Sequence, residues 1–181
     1  MGNGVLLDTN CFAHVFNRND KEHKEFEDFL RWLCCGPGYL VYGGSKYLKE
    51  LNNTEKYRKV FTILHNYNKA IAYNARAIDQ EQDRIVHIVD DPHFDDPHLP
   101  AILIIAKCNV VCTGDSRSFP FLSRRDIYDG RIKCPKFYTG KRCVGLLTTR
   151  YVGKNPCVIR KAQSEVLVKR IEEAVKKEQH A

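Results

Sequence analysis

Short, wholly apolar runs alternate along the chain with longer stretches of helical periodicity. Val5-Leu6-Leu7 runs into Asp8-Thr9-Asn10, the pattern of a strand buried on both faces that delivers polar residues at its carboxyl end. From Asp20 to Leu33, Phe26, Phe29, Leu30 and Leu33 recur among charged neighbours, and Gly36-Pro37-Gly38 stops the element, which predicts an amphipathic helix. Tyr39-Leu40-Val41-Tyr42 has strand composition and leads through Gly43-Gly44 to a helix holding Tyr47, Leu48, Glu50 and Leu51, with Ser45 as its N-cap. From Thr54 to about Ile88 the apolar spacing predicts one longer helical region.

An acidic, proline-containing segment, Asp90 to His98, precedes the apolar run Leu99 to Ala106. Asp96 fits an N-cap there and Pro97 the first helical position. Val110-Val111-Cys112-Thr113 then reads as a second buried strand, ending at Gly114-Asp115-Ser116, so the arrangement at Asp8 is repeated. Ile132 to Tyr138 predicts a last strand, Thr139 to Pro156 a loop, and Arg160 to Glu178 a helix, with no internal repeat. Strands alternating with helices indicate an α/β fold around a parallel sheet, whose sites form outside the carboxyl ends of its strands.

A length of 181 residues with 43% hydrophobic content supports one core with at most a short extension. The net charge of +7 is unevenly spread: residues 1–116 carry 13 basic and 16 acidic side chains, and residues 117–181 carry 16 and 6. An acidic part beside a basic part suits a polyanionic substrate, with carboxylates for metal and cations for phosphates, although a solvated basic tail has the same composition. The eight cysteines contain no Cys-x-x-Cys pair, which disfavours structural zinc and leaves small apolar fillers. Met1 to Leu7 runs directly into the first strand without an apolar leader, so a reduced, cytoplasmic protein is expected. No apolar stretch approaches the roughly 20 residues a spanning helix needs, so no membrane partner is expected.

Asp8, Asp96 and Asp115 fall at the same predicted sheet edge, and carboxylates from separate elements at such an edge are an economical way to hold Mg²⁺ or Mn²⁺. Each also has a plain reading: Asp8 or Asp115 as a turn residue, Asp96 as a cap, Glu50 as an exposed helical charge. Their joint order favours function. Four segments, Val5-Leu6-Leu7-Asp8-Thr9-Asn10, Ser45 to Glu50-Leu51, Asp96-Pro97-His98-Leu99-Pro100-Ala101 and Val111-Cys112-Thr113-Gly114-Asp115, resemble in order the motifs of PIN-domain nucleases, including VapC-like toxins.

That resemblance covers roughly residues 4 to 138 and implies a three-layer PIN-like fold over 1–138, with a basic C-terminal extension, 139–181, ending in a helix. It implies a metal-dependent endoribonuclease in which Asp8, Glu50, Asp96 and Asp115 bind Mg²⁺ or Mn²⁺, Asn10 orients Asp8, and Thr113 or Ser116 lies close to the last aspartate. Asp96 is preferred to Asp95 by its spacing to His98 and Ala101, with Asp90, Asp91 and Asp95 as auxiliary ligands. The ion would activate water, so His98 is assigned to the helix surface or substrate side. RNA would be contacted by Arg117, Lys141, Arg142, Arg150 and Lys154, with Tyr138 and Tyr151 stacking on unpaired bases. The final helix alternatively packs on the domain or on a second subunit.

Two positions depart from the family pattern. Arg117 stands where many members place a second acidic residue, and Pro100 stands in the helix that usually carries small residues. They motivate a second reading, an inactive PIN-fold RNA-binding module. A third, the toxin half of a toxin–antitoxin pair, implies an antitoxin or other regulatory protein partner, and a homodimer is a further possibility.

Overall fold

The computed structural model describes residues 4–153 and 159–176. Five parallel strands, β1 (Val5–Leu7), β2 (Leu40–Gly43), β3 (Ala70–Tyr73), β4 (Val110–Cys112) and β5 (Lys136–Tyr138), lie in the order β3-β2-β1-β4-β5. Chain order runs outward from β1 through β2 to β3, then returns to β4 on the other side. The direction of winding therefore reverses between β1 and β4, and a crevice opens at the carboxyl ends of that pair. Every residue of β1 and β4 is fully buried, as their unbroken apolar composition requires in a sheet covered on both faces.

Among the described residues ten α-helices connect and cover the strands: α1 (Phe12–Phe16), α2 (His23–Cys35), α3 (Ser45–Asn52), α4 (Glu55–Asn66), α5 (Ala75–Val89), α6 (His98–Ala106), α7 (Phe119–Leu122), α8 (Arg125–Tyr128), α9 (Thr149–Val152) and α10 (Lys161–Lys176). α1, α2, α4 and α10 pack together, and α5, α6 and α8 form a second group, so helices flank the sheet in three layers. α6 is apolar nearly all round and buried along its length, the signature of a helix enclosed by its own fold.

The long helical region expected from Thr54 to Ile88 is two helices with a strand between them. Asn68 adopts a left-handed conformation (φ 55°) that ends α4, and the edge strand β3 is four residues long, half exposed and half alanine, so it does not interrupt the helical periodicity around it. The loop expected over Thr139–Pro156 holds a 3₁₀ helix, Lys141–Leu147, and α9. Ser45 is the first residue of α3 and Gly44 its cap, because the Ser45 side chain is engaged by Asp79 across the turn (Oγ to Oδ2, 2.5 Å).

The segment after Tyr138 shares this core. Leu167, Ile171 and Val175 of α10 are buried against α4, α2 and α1, and Arg18 pairs with Glu172 at 2.6 Å. Tyr138 is fully buried with its ring against Phe29 (5.1 Å), and Tyr151 is half-buried, so Tyr138 is a core residue and offers no face to a base. Cys11, Cys34, Cys108 and Cys112 are buried, Cys35 is exposed, and all the described cysteines are free thiols. None of the described helices is long and apolar enough to cross a membrane.

Candidate active site at the sheet crevice

Leu7 pairs with Cys112 across the β1–β4 ladder, so Asp8 and Thr113 leave the sheet side by side. The Thr113 hydroxyl donates to Asp8 Oδ2 at 2.8 Å, and Asn10 Nδ2 donates to the same oxygen at 2.9 Å. Asn10 Oδ1 accepts from the Gly114 amide (3.2 Å), and Thr113 Oγ1 accepts from the Asp115 amide (3.2 Å). These bonds tie the two strand ends together and fix the Asp8 carboxylate in one orientation. Asp8 is only 5% exposed. Burial pushes its carboxyl up to about 6, against the lowering effect of the Thr113 bond and with the charges of Asp96 and Glu50 adding to the rise.

α3 brings in the second carboxylate. Its entry turn demands glycine, since Gly44 has φ 81° and a Cβ there would lie 2.6 Å from Ile78 Cγ2. Inside the helix the buried Tyr47 hydroxyl donates to the Leu7 carbonyl at 2.6 Å, pinning α3 to the end of β1. Glu50, one turn on, accepts from Thr9 Oγ1 at 2.9 Å.

Asp96 comes from the loop before α6. Its carbonyl accepts from the Leu99 amide (3.1 Å), but its carboxylate makes no capping bond, and the helix begins at His98 with Pro97 as the cap. The expected side-chain cap is thus replaced by an ion pair with Lys46 Nζ at 3.2 Å, whose ammonium also donates to the Asp95 carbonyl. Pro100 sits in the first turn of α6, where its missing N–H leaves no helical bond unmade.

His98 departs from its expected place on the helix surface or substrate side, being only 1% exposed. Its Nε2 lies 3.8 Å from Glu50 Oε2 and its Nδ1 3.9 Å from Asp96 Oδ1. Neither nitrogen has a hydrogen-bond partner among the described residues. Burial, with Lys46 adding to it, pushes the imidazole down to about 3, so the ring is neutral and its carboxylate neighbours are contacts rather than ion pairs.

No family model, curated protein or solved structure matches this chain. The chemistry of the site rests on its own side chains.

Asp8, Glu50 and Asp96 form one electrostatically linked group, and Asp115 lies at its rim. Arg117 clamps Asp115 with two bonds, Nε to Oδ1 at 2.9 Å and Nη2 to Oδ2 at 2.8 Å, which hold the Asp115 carboxyl below the usual range. Asp115 also accepts from the Arg117 amide (3.0 Å), so it fills the turn role as well. Ser116 is exposed, and it is Ser118 whose hydroxyl donates to the Asp115 carbonyl (2.7 Å). A cleft of about 250 Å³ runs between Asp96 and Asp115, lined also by Asp95, Arg117, Phe94 and Phe121. Asp90 and Asp91 lie outside this cleft: Asp90 ends α5 in a left-handed conformation, and Asp91 accepts from the His93 amide at 2.8 Å.

The basic positions scatter. Lys141 and Arg142 follow the carboxyl end of β5, at the site's edge of the sheet, but Lys141 is paired with Glu25 at 2.8 Å. Arg150 lies over the Tyr151 ring and lines a depression with Asn109 and Lys136, at the end where β4 and β5 begin. That is the opposite end of the sheet from Asp8. Lys154 lies outside the described residues.

Two expected outcomes follow from this geometry. Thr113→Val keeps the side-chain shape but removes the hydroxyl shared by Asp8, Asn10 and Asp115, and for the Mn²⁺ that the motif resemblance implies it should weaken binding by roughly 10- to 100-fold, as measured by calorimetric titration. Lys46→Met removes the cation that neutralises Asp96, and should tighten Mn²⁺ binding by about tenfold, equivalent to about 1.4 kcal/mol of relieved competition. Unchanged affinity in Lys46→Met would mean that the ammonium does not compete for the carboxylate.

Proposed function

We propose that this chain is a divalent-metal-dependent nuclease acting on RNA. The observation that carries the reading is the convergence of Glu50 and Asp96 on a buried histidine whose nitrogens have no partner among the described residues, beside the crevice between β1 and β4, where the Asp8 carboxylate is electrostatically linked to both. The donor set fits Mn²⁺ or Mg²⁺, since it is rich in oxygen and its carboxylates outnumber the two cations beside them, Lys46 and Arg117. Asp8, Glu50 and Asp96 would hold the ion, and Asp115 would reach it on release from Arg117. The chemistry supplied by a bound divalent ion is relief of phosphate charge and activation of water.

The remaining residues position and exclude. Asn10 and Thr113 hold the Asp8 carboxylate, and Thr9 holds Glu50, so neither must be ordered when substrate arrives. Phe94 and Phe121, stacked at 4.9 Å, wall the cleft on its apolar side. Arg117 is 86% exposed and planar, suited to exchange the Asp115 carboxylate for a phosphate. The choice of RNA rests on the motif resemblance.

Purified protein incubated with mixed RNAs should cleave them in Mn²⁺ and not in EDTA. Cleavage that persists unchanged in both Asp8→Asn and Asp115→Asn would overturn the reading. The Arg117 clamp and the Lys46 pair favour a second possibility, an RNA-binding module whose carboxylates are neutralised by the chain's own cations. Such a module would show no Mn²⁺-induced rise in Tm.

A further inference from the structure

We propose that His98 is a nitrogen ligand to the ion held by Glu50 and Asp96, and that it gives the site a preference for Mn²⁺ over Mg²⁺. The inference rests on the metal-dependent reading above and deepens it. One ligand atom from each of Glu50, Asp96 and His98 lies within 4.8 Å of the others. With metal–ligand bonds of about 2.1 to 2.2 Å, neighbouring ligand atoms sit roughly 3 to 4.4 Å apart. Each His98 nitrogen lies inside that range of one carboxylate, Nε2 at 3.8 Å from Glu50 and Nδ1 at 3.9 Å from Asp96, and a single ligand atom from each of the three residues completes the set within 4.8 Å.

Burial makes the arrangement informative. An imidazole always carries at least one N–H and, when neutral, one lone pair, and buried polar atoms are almost always satisfied. His98 is closed off at 1% exposure with neither nitrogen bonded among the described residues, while the carboxylates of the site are engaged: Glu50 by Thr9, Asp96 by Lys46, Asp8 by Asn10 and Thr113. An ion held by Glu50 and Asp96 would take the lone pair of one nitrogen and leave the N–H on the other, which fixes the tautomer. Mg²⁺ is a small, hard cation that keeps to oxygen ligands and water, whereas Mn²⁺ opens the first-row series along which affinity for nitrogen-containing sites rises. A nitrogen in an otherwise oxygen-rich site therefore selects among divalent ions.

The test is pulsed EPR on the full-length protein loaded with Mn²⁺. Imidazole ¹⁴N modulation should be present in the wild type, should change to the ¹⁵N pattern when histidine alone is ¹⁵N-labelled, and should vanish in His98→Gln but survive in His93→Gln. Calorimetry should show the ratio of Mn²⁺ to Mg²⁺ affinity falling by about tenfold or more in His98→Gln. Isotopic labelling leaves the fold untouched, so the result stands even if His98→Gln folds poorly. Mn²⁺ bound without any histidine nitrogen signal overturns the His98 assignment and leaves the nuclease reading intact. A signal lost in His93→Gln overturns it by assigning the ligand to that exposed residue at the cleft. Absence of Mn²⁺ binding overturns both.

Discussion

Asp8→Asn should abolish metal-dependent cleavage and, at the same time, make the metal-free protein more stable. The amide oxygen can take the place of Oδ2 and keep the bonds from Asn10 and Thr113, so the strand ends stay tied. What is lost is a buried charge that burial, Asp96 and Glu50 all oppose. The sign follows from linkage: Asp8 has a folded value of about 6 against 3.8 for a free carboxyl, so its contribution is full below the lower value and is lost as pH rises through the upper one. That difference corresponds to roughly 3 kcal/mol at neutral pH, which raises the Tm of EDTA-treated Asp8→Asn over wild type by about 5 to 10 °C. The gap between the two proteins should close toward pH 4. A bound cation removes the repulsion in the wild type, and several kcal/mol of charge relief at the phosphate translates into loss of cleavage on the order of a thousandfold in the variant. Cleavage intact in Asp8→Asn, or a Tm below that of wild type at neutral pH, contradicts this picture of the site.

The second large effect lies far from the carboxylates. α10 buries Leu167, Ile171 and Val175 on the layer formed by α4, α2 and α1, so it completes the core. Ile171→Ala should cost about 2 to 5 kcal/mol, a fall of roughly 5 to 15 °C in Tm for a domain of this size. Mn²⁺ affinity measured well below Tm should be unchanged. A chain ended after Gly153 leaves that apolar face open and should aggregate or lose cooperative unfolding. If α10 were an independent basic arm, neither change would move the melting curve, and differential scanning calorimetry separates the two cases directly.

Much of the fold was legible because unbroken apolar triplets such as Val5-Leu6-Leu7 and Val110-Val111-Cys112 are unambiguous as buried parallel strands. The α/β class and the placement of Asp8 and Asp115 at strand ends follow from them. β3 was hidden because Ala70-Ile71-Ala72-Tyr73 sits at the sheet edge, half exposed, and its weak apolar pattern merges into the periodicity of α4 and α5. His98 is assigned by the sequence to the helix surface or substrate side because water activated by the ion needs no histidine base, and helical periodicity does not reveal that the first turn of α6 is buried. Its position two residues after Asp96, at the head of the all-apolar run Leu99 to Ala106, was the available signal. Lys46 was invisible for a different reason: a lysine one turn before Glu50 on α3 looks like any solvated helical charge until Asp96 arrives from a loop 50 residues away.

The most direct test of the central claim is anomalous diffraction from crystals soaked in Mn²⁺. The account predicts a peak about 2.2 Å from carboxylate oxygens of Asp8, Glu50 and Asp96, with the Lys46 ammonium displaced from Asp96. A peak elsewhere, or none at a concentration that saturates solution binding, with Lys46 still on Asp96, would contradict it.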